Sequence, residues 1–220
     1  MSGVTAGTLW HVSKFRSTRA LWMWRELELL YPGKLPELTL ITMDESTLRT
    51  NKPPALLEAN RQGKVPTFQS PDGSLVLFES AAICNYFCRQ YDTEEKFMPR
   101  DPMSMARHDM IAHYACGTAD NVLATSSPIQ RVLDDPKPGH DQEFLARNER
   151  AWHELVAPTF QDFLQSRSPY FSASDVIFGF TIAACARKFP DRLAAFPLLQ
   201  AFYDNEIATR PAFQKAIGGA

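Results

Sequence analysis

The residues best able to do chemistry are Pro66, Glu79 and Ser80. They sit in the stretch Asn60-Arg61-Gln62-Gly63-Lys64-Val65-Pro66-Thr67-Phe68 and, after a short hairpin, in Leu75-Val76-Leu77-Phe78-Glu79-Ser80-Ala81-Ala82-Ile83. Residues 65–68 read as a strand, Ser70-Pro71-Asp72-Gly73 as a tight turn and residues 75–78 as the apolar return strand. A proline has no amide to give to a ladder, so Pro66 at a strand's start is an edge residue or a cis turn residue that leaves the Val65 amide and carbonyl unpaired. Groups left in that way can pair with the peptide groups of a ligand. Glu79 and Ser80 open a helix, where the first amides point outward and favour negative charge. A ligand carboxylate docked there would take bonds from the Ser80 hydroxyl and amide, while Glu79 could take an ammonium. One strand-turn-strand-helix unit would then hold a small zwitterionic peptide; the same residues read equally as a plain helix cap and a plain turn.

The elements that must position these residues follow from the pattern. Residues 8–12 read as a first strand, and a helix from Ser17 or Thr18 to Leu30 shows an apolar face of Ala20, Leu21, Trp24, Leu27 and Leu30, stopped by Tyr31-Pro32-Gly33. Residues 38–42 make a second strand, and strand-helix-strand order implies a parallel pair with a right-handed crossover. A polar loop over 44–54 and a short helix over 55–60 lead into the central stretch. With the hairpin and the third helix this gives an α/β thioredoxin-like domain, a four-stranded mixed sheet with three helices, over residues 1–90. Residues 91–102, charged and carrying Pro99 and Pro102, read as a linker. Residues 103–220 read as an all-α helical bundle, with helical stretches over 103–123, 141–165, 174–187 and 193–208. Within it Ser172 and Asp175 have capping-box spacing before the apolar run 176–186, which assigns them to folding.

At 220 residues the chain exceeds an average domain of about 150. Apolar residues make up 45%, charged ones 22% and the formal charge is −2, so the class is ordinary globular and nothing in the charge calls for nucleic acid or an anionic membrane. Cys84, Cys88, Cys116 and Cys185 show no metal or redox spacing and read as reduced thiols. Residues 1–7 carry no apolar signal region, and the run 176–186 is far short of the ~20 residues of a membrane span. A cytoplasmic protein with no metal and no cofactor is expected. His108 and His113 lack carboxylate company for a metal, and Trp22, Trp24 and Trp152 read as core.

The Gly63-Lys64-Val65-Pro66 element followed by Glu79-Ser80 resembles the glutathione-binding half of the cytosolic glutathione S-transferase superfamily, in which a "GKVP" element with a cis proline precedes an acidic-serine pair at the third helix. The resemblance extends over nearly the whole chain, through Ser172-Ala173-Ser174-Asp175, Phe196-Pro197-Leu198 and Thr209-Arg210-Pro211-Ala212-Phe213. It implies glutathione binding by Lys64, Val65, Pro66, Glu79 and Ser80, and by Lys52 in Asn51-Lys52-Pro53, similar to a lysine that holds the glycine carboxylate. It implies transfer of the thiolate to a hydrophobic electrophile in a homodimer, glutathione being a co-substrate, with Phe15, Met110, His113 and Tyr114 as candidates for lining the acceptor pocket.

Such a thiol has a pKa of ~8.5, and lowering it by about two units requires ~2.7 kcal/mol of thiolate stabilisation, which a hydroxyl donor and a helix N-terminus can supply. In His11-Val12-Ser13-Lys14-Phe15-Arg16-Ser17-Thr18-Arg19 there is no tyrosine, and the family's serine position falls on Phe15 or Lys14. Ser17 is the first candidate and Ser13 the second, with Ser17 reading equally as an N-cap. Two rivals stand beside this reading. Residues 63–83 also resemble the transferase-like module of the elongation complex gamma subunit, where the fold serves assembly. A thiol-disulfide reductase would want a cysteine in residues 12–19, which have none.

Overall fold

The computed structural model describes residues 5–123 and 139–218. They divide into two compact units, one of Met1–Pro99 with Arg210–Ala220 and one of Arg100–Thr209.

The first unit is built on a four-stranded sheet of order β2-β1-β3-β4, comprising β1 (Thr5–His11), β2 (Glu37–Thr42), β3 (Thr67–Gln69) and β4 (Val76–Phe78). The β1–β2 pair is parallel, while β1–β3 and β3–β4 are antiparallel. The crossover helix α1 (Ser17–Leu30) packs against β1, against α4 (Ser80–Tyr91) and against a C-terminal helix, Pro211–Gly218. Neighbours on more than one side explain why its buried surface is wider than the one-sided face expected. Trp22, Met23 and Glu26 are buried with Ala20, Leu21, Trp24 and Leu27, whereas Leu30 is exposed. The C-terminal helix is fastened by the Arg210 guanidinium, which donates twice to the buried Glu26 carboxylate at 2.6 and 3.0 Å, and by Phe213, whose ring lies 4.7 Å from that of Trp22. Residues 210–220 therefore go with the sheet, although the sequence pattern groups them with the helices of 103–220.

The segment 44–54, expected as a loop, contains α2 (Glu45–Thr50), because the Asp44 carboxylate caps it by accepting from the Thr47 amide at 2.6 Å. A further short helix, α3 (Pro54–Ala59), follows. Beyond α4, the buried Asp92 carboxylate accepts from the Tyr31 hydroxyl and from the amides of Lys96, Phe97 and Met98, which fixes the start of the connection.

The second unit is helical. It contains α5 (Pro102–His113), a π-helical segment Tyr114–Ala119 and α6 (Asp120–Val122), then α7 (His140–Ala151), a second π segment Trp152–Val156 and α8 (Ala157–Ser166). The stretch continues with α9 (Ala173–Lys188), α10 (Pro190–Ala194), α11 (Pro197–Phe202) and a third π segment Tyr203–Ile207. Pro197 opens α11 and so divides the single helix read over 193–208. Residues 173–185 of α9 are buried all round, among an aromatic set that includes Phe160, Phe163, Phe178 and Phe202. Among the described residues no helix is long and apolar enough to cross a membrane.

Candidate functional site

Register brings the sequence-predicted residues of the first unit to one end of the sheet. Trp10 of β1 lies opposite Thr67 of β3, Thr67 lies opposite Phe78 of β4, and His11 lies beside Thr42 of β2. One step beyond, the chain emerges at the same end four times, as Val12, Met43, Pro66 and Glu79. The β1–α1 turn, the β2–α2 connection, the Val65-Pro66 step and the start of α4 thus share that end.

The Val65–Pro66 peptide bond is cis. The Val65 amide and carbonyl make no backbone hydrogen bond among the described residues. Behind them the Lys64 carbonyl accepts from the Thr67 hydroxyl at 2.8 Å, which holds the loop, while the Lys64 side chain is exposed. Gly63 has φ +56, and a Cβ added there would meet Lys52 Cδ at 2.7 Å and Nζ at 3.3 Å. The Lys52 side chain therefore lies across Gly63, bringing its ammonium to the Gly63-Lys64-Val65-Pro66 loop.

Glu79 occupies the N-cap position of α4 at φ 74, ψ 116, offers no side-chain capping bond, and has an exposed side chain. A non-glycine residue in that region is strained, and strain of this kind gathers at functional sites. Ser80 is buried, and its hydroxyl accepts from Arg19 Nη1 at 3.4 Å. Arg19 is wholly buried, and nothing in its spacing within α1 distinguishes it from Arg16, so sequence reasoning missed it.

The two candidate hydroxyls differ sharply. Ser17 is fully buried, and its Oγ donates to the Val12 carbonyl at 3.0 Å while accepting from the Val12 amide at 3.1 Å. Its single proton is committed to the Val12 carbonyl, so it can donate to a ligand only by giving up that bond. Nor is it the N-cap, a position held by Arg16 without a side-chain bond. Ser13 is partly exposed, and its Oγ donates to the Ile217 carbonyl of the C-terminal helix at 2.5 Å. Lys14, next to it, has φ 66.

Ser13 also lines an open groove of about 660 Å³, whose apolar wall is Val12, Phe15, Ile41, Met43 and Pro53. Small-molecule sites are typically roughly 300–1,000 Å³. Phe15 and Val65 both pack on the cluster of Trp10, Val12, Met43 and Leu56, so the groove and the Val65 loop share a floor. Below it His11 is fully buried; burial lowers its imidazole pKa to about 4, the nearby Ser17 backbone opposing the shift without completing a hydrogen bond.

Met110, His113 and Tyr114 lie in the second unit at the end of α5 and the start of its π segment. Met110 is 53% exposed, the His113 ring pairs with the Asp109 carbonyl at 2.7 Å, and Tyr114 packs its ring on Phe160 and Phe163. Ser172 and Asp175 form the capping box expected of them. The cysteines are all free thiols, with burial pushing Cys185 up to about 12. Among the described residues no cluster of three or more His, Cys, Asp or Glu is placed to hold a metal.

Residues 16–90 match the family model described as glutathione S-transferase, N-terminal domain. Pyrimidodiazepine synthase of Drosophila melanogaster is 41% identical over 64 residues, covering 28% of this chain and 26% of that protein. The probable glutathione S-transferase GSTF1 of Oryza sativa subsp. japonica is 44% identical over 55 residues, 25% of this chain and 24% of that protein. The matched stretches thus span about a quarter of these curated relatives. Among solved structures, a theta class glutathione S-transferase from Xanthomonas axonopodis pv. citri with glutathione bound is 26% identical at a TM-score of 0.72, covering 98% of each chain. The glutathione transferase URE2P8 of Phanerochaete chrysosporium with oxidized glutathione, at 15% identity, shares the fold at a TM-score of 0.74 over 98% of this chain and 95% of that one.

Proposed function

We propose that this chain, whose residues 16–90 match the glutathione S-transferase N-terminal domain, is a member of the cytosolic glutathione S-transferase superfamily and conjugates the thiol of glutathione to hydrophobic electrophiles. The observation that carries this is the shared sheet end, where Val65 offers an amide and carbonyl without backbone partners beside the buried Ser80 at the positive end of α4. In this reading the γ-glutamyl carboxylate docks on Ser80 and the α4 amides, its ammonium on Glu79, the cysteinyl peptide group on Val65 beside Pro66, and the glycine carboxylate between Lys52 and Lys64.

The thiol then points to the β1–α1 turn, where Ser13 is the hydroxyl left to serve it. To donate to a thiolate, Ser13 exchanges its bond to the Ile217 carbonyl for one to sulfur, and the positive end of α1 adds to the stabilisation. The thiol proton leaves to solvent, the sulfur attacks an electrophilic carbon seated in the groove against Phe15, a C–S bond forms, and the leaving group departs with the displaced electron pair. Glutathione is a co-substrate here. A cytoplasmic homodimer is part of the same proposal.

Titration calorimetry with reduced glutathione near neutral pH tests the site. Binding that Ser80→Ala weakens and Ser17→Ala spares, together with a bound-thiol pKa that Ser13→Ala raises by about one unit in ultraviolet thiolate absorbance, supports the reading. No detectable binding by the wild-type protein would sink it.

A further inference from the structure

The C-terminal helix is fastened to the first unit along its whole length. At its start Arg210 donates to the buried Glu26 carboxylate, which also accepts from Trp22 Nε1 at 2.7 Å, and a turn later Phe213 lies against the ring of Trp22. At its other end the Ile217 carbonyl accepts the Ser13 hydroxyl at 2.5 Å, short for an O–H···O bond. Ile217 stands in the last turn of a helix that ends at Gly218, where carbonyls lack intrahelical partners and the helix carries its negative pole. The candidate catalytic hydroxyl and this helix end therefore satisfy each other.

A hydroxyl has one proton and two lone pairs. While Ser13 gives its proton to Ile217, it turns only lone pairs to a thiol beside it, and these accept from S–H but repel a thiolate. The negative pole of the helix acts in the same direction. The docked helix thus matches the protonated thiol and opposes the ionised one. We propose that the C-terminal helix is an autoinhibitory latch on Ser13: docked, it holds a bound glutathione thiol in the protonated form, and withdrawal of the Ile217 carbonyl releases the hydroxyl to donate to the thiolate. Only hydrogen bonds are exchanged in this step, and the thiol proton leaves to solvent. The inference rests on the glutathione reading above and adds to it the control of the thiol.

Gly218→Pro tests the latch, because the residue before a proline is driven out of the helical region, which turns the Ile217 carbonyl away while the Arg210 and Phe213 anchors stay. Gly218→Ala is the control, since a Cβ added there meets nothing within 4 Å. The thiol pKa of bound reduced glutathione is read from ultraviolet thiolate absorbance. Gly218→Pro should lower it by about half a unit, a threefold larger ratio of thiolate to thiol, on the scale of one neutral hydrogen bond. Gly218→Ala should leave it in place, and in a Ser13→Ala background Gly218→Pro should shift it less than half as far. Where the proline variant does not fold, Phe213→Leu, which loosens the middle of the helix, should lower the pKa in the same direction. An unmoved or raised pKa, or an equal shift without Ser13, overturns the latch and leaves the glutathione site standing. Failure of the wild-type protein to bind glutathione overturns the site itself, and the latch with it.

Discussion

The starts of α4 and α9 each carry a serine and an acidic residue, and they are built in opposite ways. At α9 the Ser172 hydroxyl and the Asp175 carboxylate close on each other's backbone amides, and Arg167 pairs with the same carboxylate at 3.2 Å. At α4 the Glu79 side chain is exposed and caps nothing, its backbone is held at positive φ, and Ser80 meets a cation from another helix. A closed cap spends its polar groups on folding, whereas an open one keeps the helix's positive end for something else. The surroundings repeat the contrast. Among the described residues, the buried side-chain nitrogen and oxygen atoms without a hydrogen bond, on Trp10, His11, Thr18 and Arg25, all belong to β1 or α1. The second unit contributes none among those residues.

The largest effect that sharpens this comparison falls on the closed cap. Asp175→Ala removes a buried acceptor from the Ser172 amide and from Arg167, and should cost about 3 kcal/mol in urea unfolding while leaving glutathione affinity intact. Burial raises the Asp175 pKa despite the Ser172 and Arg167 bonds that lower it, and Asp175→Asn, which keeps an acceptor oxygen for the Ser172 amide, should cost less than the alanine.

An effect of similar size, confined to acid, tests the unsatisfied sheet end. His11 has a depressed folded pKa of about 4 against 6.5, so the folded state binds fewer protons than the unfolded state between those values. The stability contributed by neutral His11 is present in full above pH 6.5 and is lost as pH falls toward 4, by about 3 kcal/mol. The stability difference between wild-type protein and His11→Gln should therefore change by that amount between pH 7 and pH 4; a difference that stays flat would show that His11 titrates normally.

Ser80→Ala should weaken glutathione roughly tenfold to a hundredfold, the loss of a hydrogen bond to a charged group. Ser172→Ala should lower stability by about 1 kcal/mol and leave binding unchanged. Equal behaviour of the two serines in calorimetry would erase the distinction between open and closed caps. The smallest effect has opposite signs in two assays: Glu79→Gly relieves a left-handed backbone and should stabilise the fold by about 1 kcal/mol, yet weaken binding of the ligand ammonium.

Much of the fold was legible. The strand, turn and return strand around Pro66, the helix from Ser17 to Leu30 and the capping box at Ser172 each declare themselves through local pattern, because periodicity, turn chemistry and capping are interactions among near neighbours in sequence. Where two local signals competed, the reading went astray: the polarity of residues 44–54 masked the cap of Asp44, and the apolar run over 193–208 masked the break at Pro197.

The candidate site was legible in its residue types and not in their arrangement. The sequence by itself determined that Pro66, Glu79 and Ser80 would stand at a strand start and a helix start, since those positions follow from residues a few places apart. Only the tertiary structure decided what holds each hydroxyl. Ser13 and Ser17 differ by four positions and share one chemistry, yet one is enclosed by its own loop and the other meets a helix 204 residues away. It alone also brought Arg19 against Ser80, 61 residues apart, because the meeting is fixed by the packing of α1 on α4, to which neither residue's local pattern contributes.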